Sequence, residues 1–292
     1  TPILFYSRRI GIDNGEVLPI RAGGRMTGRV GRYTVGLLNI QAGETEQSVP
    51  STNFSVVRVR RDILRRSTIG VIGTHRSVSL EGVGSNQAFG ADANFSFYQN
   101  LSIDAYYAET RTPERSGDDS SYRARIANQG DRYGFEYEHL VVGENFNPEI
   151  GFLRRRDFRL NRAGLDFTPR VTGSTRFRKF EYGLNIDHYV SGAGTLETRE
   201  VEGAFGIEFQ NGDDFSLEYT NSFEYVDRPF WVASGITVPA GSYEFQKMGA
   251  SYRLGQQRRL SGWVSAGHGS FWNGTRTELG YRGRLELSSQ LS

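Results

Sequence analysis

The stretch AFGADANFSFY, residues 88–98, alternates apolar and polar side chains along its whole length. Phe89, Ala91 and Ala93 occupy odd positions, followed by two further aromatics, whereas Asp92 and Asn94 occupy even positions. Successive side chains of a β-strand point to opposite faces of the sheet. This stretch is therefore predicted to be a strand with one apolar and one polar face.

The same alternation recurs along the chain. In residues 201–209, for example, Glu202 and Glu208 alternate with apolar neighbours. Fifteen segments show the pattern from Ile20 onward. Counting backwards, the segment Ile3–Ile12 is predicted to be one more strand, which brings the total to about 16.

Composition excludes several classes of protein. Hydrophobic residues make up 37% of the 292 residues, and the mean hydropathy is -0.50. No apolar run of about 18 residues occurs, which excludes a helical membrane protein. The 33 acidic residues nearly balance the 35 basic ones, so no nucleic-acid partner is expected. The absence of cysteine removes disulfides and thiolate metal sites.

The predicted connections alternate in length. Short turns are predicted at residues 31, 64–67, 99–100, 128–131, 169–174, 211–214 and 255–258. Longer loops are predicted at residues 43–53, 78–87, 112–120, 143–156, 190–197, 227–242 and 271–274. Tight turns at one end and longer loops at the other are typical of outer-membrane barrels.

The sequence thus predicts an all-β protein, an antiparallel up-and-down transmembrane β-barrel in the bacterial outer membrane. Residues 1–292 are expected to form a single barrel domain that is incomplete at both ends of the full protein and part of a larger barrel. Outer-membrane lipid and lipopolysaccharide are the expected surroundings. The alternative is a soluble sandwich or propeller, but a sandwich has no reason to sort its loops by length, and no propeller repeat is found.

Four stretches resemble a family of uncharacterised Gram-negative outer-membrane proteins (the DUF5916 type). They are LFYSRRIG (4–11), TGRVGRYTVGLLNIQ (27–41), NFSVVRVRRDILRRSTIG (53–70) and FNPEIGFLRRRDFR (146–159). In that family a periplasmic carbohydrate-binding-like domain of the family 9 type precedes a large barrel of unknown function. The resemblance implies that this chain is the central part of a longer protein with such a domain upstream.

Rows of charge follow the polar side of several predicted strands. The residues concerned are Arg58, Arg60, Arg123, Arg125, Glu136, Glu138, Glu202, Glu208, Arg282 and Arg284. A charge on the lipid face of a barrel costs about 2 to 4 kcal/mol at the midplane, so these side chains are predicted to face the lumen. Two interpretations stay open. The favoured one is a ladder of Arg–carboxylate pairs that rigidifies the barrel. The other is an electrostatic constriction that selects anionic or hydroxyl-rich solutes.

Two loops carry further candidate residues. Arg154, Arg155 and Arg156 follow an aromatic-containing segment, which either folds into the lumen or, as favoured here, forms an external loop whose arginines meet lipopolysaccharide or strand-end acids. Phe230 and Trp231 either stack on a sugar or, more simply, belong to the interfacial aromatic girdle.

No catalytic constellation is evident. The four histidines have no metal-ligand spacing, so neither a metal nor a cofactor is expected, and no catalytic residue is assigned. The leading hypothesis is an outer-membrane channel or uptake component, with saccharides as the solute class suggested by the family's partner domain. The alternatives are a scaffold barrel that anchors a periplasmic domain or other cell-envelope proteins, and a carbohydrate-active hydrolase.

Overall fold

The computed structural model describes residues 1–13, 16–44, 50–233, 235–272 and 274–286. Parts of the predicted loops 43–53, 227–242 and 271–274 lie outside these residues. Among the residues described, no helix has the length and apolarity needed to cross a membrane.

Two hairpins lie apart from the main sheet: β1 (Ile12–Asp13) pairs with β2 (Glu16–Val17), and β15 (Phe230–Ala233) pairs with β16 (Ile236–Val238). The strands of the main sheet are β3 (Ile20–Val30), β4 (Tyr33–Ala42), β5 (Thr52–Ile63), β6 (Ser67–Arg76), β7 (Asn86–Phe97), β8 (Leu101–Arg111), β9 (Ser120–Gln129), β10 (Tyr133–Val142), β11 (Phe158–Phe167), β12 (Phe177–Ser191), β13 (Leu196–Phe209), β14 (Asp214–Val226), β17 (Gly241–Leu254), β18 (Leu260–Phe271) and β19 (Gly274–Leu285).

The main sheet has 15 strands, each beside its neighbour in sequence, except that β14 pairs with β17 because the β15–β16 hairpin intervenes. The prediction of an all-β, antiparallel up-and-down fold is confirmed. The main sheet holds the fifteen strands predicted from Ile20 onward, and the β15–β16 hairpin adds two short strands within the predicted loop 227–242. The chain divides into two compact units. Unit 1 comprises residues 1–126 and 138–160, and unit 2 comprises residues 127–137 and 161–292.

The prediction of a strand at Ile3–Ile12 is wrong. The segment contains a 3-10 turn at Ser7–Arg9. Among the residues described, only Ile3, in an isolated bridge with Phe152, and Ile12, in the two-residue strand β1, have a strand-like partner. The reason is packing: Phe5 and Ile10 contact an apolar cluster of unit 1, and this burial replaces the ladder that a strand would need.

That cluster is the apolar core of unit 1. Leu18, Ala42, Phe54, Val56 and Ile150 are each at most 6% exposed. Leu18 precedes the first sheet strand, and Ile150 lies between β10 and β11. Two segments outside the sheet are therefore packed onto the same face of β4 and β5.

The sorting of connections by length holds in unit 1 and fails in unit 2. In unit 1 the short connections 31–32, 64–66 and 98–100 alternate with the longer connections 43–51, 77–85 and 112–119. In unit 2 the predicted loop 190–197 shrinks to residues 192–195, because the β12–β13 ladder continues as far as the pair Val190 and Leu196.

Unit 2 carries a row of aromatic rings on one face of the sheet. Tyr133 stacks on Phe167 with ring centroids 5.1 Å apart. Phe167 stacks on Tyr182 at 5.9 Å, and Tyr182 contacts Phe205 at 5.3 Å. Each ring comes from the next strand of the β10–β13 meander, so cross-strand aromatic pairs stabilise this part of the sheet.

Candidate functional site

The predicted charge row of unit 1 lies on one face of the sheet. Paired residues of antiparallel neighbours share a face, and the line Arg60, Gly70, Asp92 and Tyr106 runs across β5, β6, β7 and β8. The hydroxyls of Tyr106 and Ser121 lie 2.9 Å apart, which continues this face to β9. We call it the charged face of unit 1.

An ion pair on the charged face crosses a whole strand. The Arg58 guanidinium on β5 binds the carboxylate of Asp92 on β7 with both terminal nitrogens, one of them 2.9 Å from Oδ2. The intervening strand contributes Gly70, where a Cβ would lie 2.7 Å from Arg58 Nη2. Glycine at position 70 is therefore what lets the arginine reach its partner.

Two further arginines of this row are also paired. Arg123 Nη2 donates to Glu138 Oε2 at 2.9 Å, and Nε lies 2.9 Å from Oε1. Arg125 Nη1 donates to Asp104 Oδ2 at 3.1 Å. Arg60 makes no salt bridge with any residue that the structure describes. Within unit 1 the arrangement is therefore a ladder of ion pairs with one uncompensated arginine.

In unit 2 the predicted charges are spread over β10, β13 and β19 rather than gathered at one point. Glu136 lies beside Gly164 on the next strand. Glu208 pairs with Arg178, Nη1 to Oε1 at 2.5 Å, and Lys179 Nζ lies 3.2 Å from its Oε2.

Among the described residues, Glu202 and Arg282 have no ion-pair partner, whereas Arg284 Nη2 lies 3.4 Å from Glu286 Oε1. Sequence reasoning missed a bidentate ion pair of this unit. Arg162 donates to both carboxylate oxygens of Asp187, at 2.7 and 2.6 Å. Both residues lie within predicted strands, but a single sequence does not say which strands become neighbours.

Residues 143–152, which we call the docked segment, pack on the charged face of unit 1. Phe146 and Ile150 are fully buried. The Asn86 side chain holds the backbone: Nδ2 donates to the carbonyl of Asn147 at 2.9 Å, and Oδ1 accepts the N–H of Glu149 at 3.2 Å. The Asn86 side chain thus binds a carbonyl and an N–H of the docked segment, as the backbone of a neighbouring strand would.

Glu149 fastens the docked segment to the connection between β6 and β7. Its Oε1 accepts the Ser79 hydroxyl at 2.7 Å, and its Oε2 accepts the N–H of Leu80 at 2.9 Å. Arg76 Nε lies 3.6 Å from Oε2, and the side chains of Arg76 and Glu149 are only 4% and 1% exposed. This is a buried, multiply hydrogen-bonded carboxylate.

The N-terminal segment lies against the docked segment. Ile3 and Phe152 exchange two backbone hydrogen bonds of 3.0 and 2.8 Å, and the N–H of Tyr6 donates to the carbonyl of Ile150 at 2.9 Å. Both segments therefore occupy space in front of the charged face of unit 1.

The preference for an external loop at residues 143–156 is thus corrected. Residues 146–150 are buried, and among them Ile150 joins the apolar core of unit 1. Only Arg154 is exposed among the three arginines. Arg155 lies over the ring of Phe158, and Arg156 Nη2 donates to Asn147 Oδ1 at 2.5 Å. Burial, with the nearby Arg115 charge, holds the pKa of Arg156 below its ordinary value.

Phe230 and Trp231 lie on the short β15–β16 hairpin. The Phe230 ring packs edge-on against Trp272 at 5.3 Å, whereas Trp231 is 70% exposed. Trp272 also contacts Tyr243 and Phe245, at 4.9 and 5.2 Å. The hairpin is therefore attached to an aromatic cluster at one end of β17 and β18.

A pocket of about 260 Å³ opens beside this cluster in unit 2. Phe245 and Phe271 form apolar walls, and the charged lining comes from two acids and two bases: Glu200, Glu278, Lys247 and Arg276. Lys247 Nζ and Arg276 Nη2 each lie 2.5 Å from an oxygen of Glu278. Sequence reasoning missed this pocket, although its residues show the same alternation as the predicted charge rows.

One turn of unit 2 is held by a buried carboxylate. Burial disfavours the ionised form of Asp213, but the N–H of Gly255, the Tyr252 hydroxyl and the Arg258 guanidinium outweigh it, so the pKa of Asp213 lies below its ordinary value. Asp213 therefore ties the β13–β14 turn to the β17–β18 connection. No group of acids and histidines among the described residues is arranged to hold a metal ion.

Comparisons with known proteins find similar folds only among solved structures. OccK10 (OpdN) of Pseudomonas aeruginosa matches with a TM-score of 0.44 and 13% identity, over 94% of this chain and 90% of its own. OccK5 (OpdH) of the same organism matches with a TM-score of 0.42 and 12% identity, over 92% of this chain and 86% of its own.

The outer membrane protein opdK of Pseudomonas aeruginosa matches with a TM-score of 0.41 and 12% identity, over 85% of this chain and 82% of its own. No family model and no curated protein matches the chain. At these identities and TM-scores, the similarity to these structures does not indicate what the chain binds.

Proposed function

We propose that the chain is an outer-membrane β-barrel that works as a porin-like channel or uptake component, with its charged faces toward the lumen. One observation carries the proposal: each unit exposes large apolar side chains on one sheet face while the other face is charged. In unit 1, Val71 and Tyr107 are 54% and 52% exposed. In unit 2, Leu279 and Tyr281 are 82% and 87% exposed.

Such an apolar face is stable in contact with the hydrocarbon of a membrane. A soluble sheet covers its apolar face with another layer, and large uncovered apolar patches are rare on soluble monomers. Most strands of the main sheet are 10 to 15 residues long, which suffices for the 9 to 11 residues of a tilted transmembrane strand. The charged face then lines water, where the paired arginines avoid the cost of contact with lipid.

For the solute we propose hydroxyl-rich molecules, saccharides in particular. The pocket of unit 2 combines two aromatic walls with two acids and two bases, so its formal charges cancel. Aromatic faces beside hydrogen-bonding groups suit an uncharged polyol better than an anion. The resemblance to a family with a sugar-binding-like domain supports the same class.

The second candidate is a scaffold barrel for other cell-envelope proteins. It is favoured by the ion-pair ladder and the docked segment, both of which rigidify unit 1 and occupy space in front of its charged face. A scaffold needs no open path, whereas a channel needs one beside these groups.

Conductance separates the two candidates. We expect the purified chain, reconstituted in a planar lipid bilayer, to give discrete conductance steps that a disaccharide at millimolar concentration partially blocks. Alanine in place of Phe271 removes one wall of the pocket and is expected to weaken the block without abolishing the steps. Steps that no saccharide affects contradict the solute class, and an inserted barrel without conductance contradicts the channel.

A separate experiment tests whether the apolar face of the sheet contacts lipid. Val71→Arg places a charge in the middle of β6, and we expect it to lower the free energy of unfolding in lipid vesicles by about 2 to 4 kcal/mol. The matched control is Val83→Arg, at a residue that is 97% exposed in the connection between β6 and β7. We expect the control to change stability by no more than about 0.5 kcal/mol. Equal effects of the two substitutions, measured by urea unfolding, contradict a lipid-facing β6.

A further inference from the structure

We propose that unit 1 binds one anionic phospholipid on its apolar face, with the headgroup at arginines of the short connections and an acyl chain in an adjoining groove. The proposal rests on the proposed function, because it requires this face to lie in a membrane. Two independent features support it, the shape of the groove and the charge at one of its ends.

The groove runs over β5, β6, β7 and β8. It consists of two adjoining hollows of about 680 and 760 Å³ that share Val71, Ala91 and Tyr107. Its floor is low because small side chains pair across the strands, Ala93 with Ala105 being one such pair. The larger side chains on either side leave a trough that matches a flexible hydrocarbon chain.

The two ends of the groove differ in charge. Tyr33 and Arg61 lie at the end with short connections, and the Arg61 guanidinium lies 5.2 Å from the centre of the Tyr33 ring. At the other end Glu109 contributes a carboxylate beside His75 and Gln87, and Arg111 Nε lies 3.7 Å from its Oε1. The arginine at that end is thus compensated by a carboxylate, so the Arg61 end attracts an anion more strongly.

The cationic end is larger than Arg61 alone. Arg32, Arg65 and Arg66 lie in the adjacent connections 31–32 and 64–66 and are exposed. The N–H of Asp62, near the end of β5, donates to the carbonyl of Arg32 at 2.8 Å, which holds the 31–32 connection beside the strand that leads into the 64–66 connection.

Asp62 does not neutralise this cluster. Its carboxylate is already occupied by Arg29, with Nη2 2.6 Å from Oδ2. None of Arg32, Arg61, Arg65 and Arg66 forms a salt bridge with a residue that the structure describes. A phosphodiester supplies a negative charge that can pair with these arginines. Only a lipid combines that charge with an acyl chain that can occupy the groove.

The test is native mass spectrometry of the full chain in a nonionic detergent. Palmitoyl-oleoyl phosphatidylglycerol is titrated against phosphatidylcholine with the same chains, and glycerol phosphate is the probe for the headgroup alone. We expect one phosphatidylglycerol per chain, bound at least about tenfold more tightly than phosphatidylcholine. We expect glycerol phosphate to bind far more weakly, since it leaves the groove empty.

Variants locate the site. Arg61→Glu with Arg65→Glu is expected to weaken phosphatidylglycerol binding at least about tenfold. The matched control, Arg176→Glu with Arg259→Glu, reverses two exposed arginines in connections of unit 2 and is expected to leave binding unchanged. Ala93→Trp fills the groove and is expected to weaken the binding of both lipids.

Four outcomes overturn the proposal: equal affinity for the two lipids, equal loss in the two double variants, unchanged binding in Ala93→Trp, and a lipid-free dimer that Ala93→Trp dissociates. Retained β-sheet circular dichroism shows that each variant is folded. Insertion into liposomes and conductance, measured on the same preparation, test the proposed function separately. A barrel that conducts without preferring the anionic lipid contradicts the lipid site alone.

Discussion

Replacing Glu149 with alanine is expected to lower the free energy of unfolding by about 3 to 5 kcal/mol. The substitution leaves the Arg76 guanidinium buried without its carboxylate, and it leaves the Ser79 hydroxyl and the Leu80 N–H without their acceptor. Loss of the buried carboxylate is the costly part, because its attraction for the buried guanidinium is not replaced by water. Urea unfolding in lipid vesicles measures the change.

The docked segment is expected to loosen in the same variant. Hydrogen exchange of the amides of residues 143–152 is expected to speed up more than exchange in β17 or β18. If the chain conducts, its conductance is expected to rise, since the segment no longer occupies space in front of the charged face. Glu144→Ala is the matched control, because Glu144 belongs to the same segment and is exposed. A control as unstable as the Glu149 variant contradicts the anchoring role.

Arg123→Ala is expected to lower the free energy of unfolding by about 3 kcal/mol. Glu138 is only 5% exposed, and both of its oxygens lie 2.9 Å from the Arg123 guanidinium, so the substitution leaves a nearly buried carboxylate unpaired. The exposed pair of Arg111 and Glu109 lies 3.7 Å apart. The control Arg111→Ala is therefore expected to cost no more than about 1 kcal/mol.

A double substitution distinguishes the contribution of the Arg123–Glu138 ion pair from that of side-chain packing. In Arg123→Met with Glu138→Leu no charge remains uncompensated, so the double variant is expected to be more stable than Arg123→Ala. A double variant as unstable as the single one indicates that the arginine stem, rather than its charge, stabilises β9 and β10. Urea unfolding of four chains, the natural chain, Arg123→Met, Glu138→Leu and the double variant, completes the cycle.

Much of the architecture follows from the alternation of side chains. Asp92 and Asn94 opposite Phe89 and Ala91 are enough to predict β7 and its two faces, because the faces of a strand depend only on a period of two along the chain. The alternation gave a wrong prediction at Ile3–Ile12. This segment packs against the apolar core of unit 1 instead of pairing as a strand of the sheet. The alternation also failed at residues 190–191 and 196–197, which continue β12 and β13 into the predicted loop.

The candidate site was predicted less completely. The alternation placed Arg58 and Arg123 on polar faces, but it did not identify Asp92 or Glu138 as their partners. The pocket beside Phe245 and the hydrogen bonds from Asn86 to the docked segment had no distinct signal in the sequence. Each of them depends on strands or segments that are distant along the chain.

The sequence by itself determined the strands, their order and the division of each strand into an apolar and a charged face, because these depend on neighbours along the chain and on short connections. Only the tertiary structure decided that Gly70 lets Arg58 reach Asp92 and that Glu149 binds the 77–85 connection. Those contacts join residues far apart in sequence, and they form only where packing and the burial of charge bring the segments together.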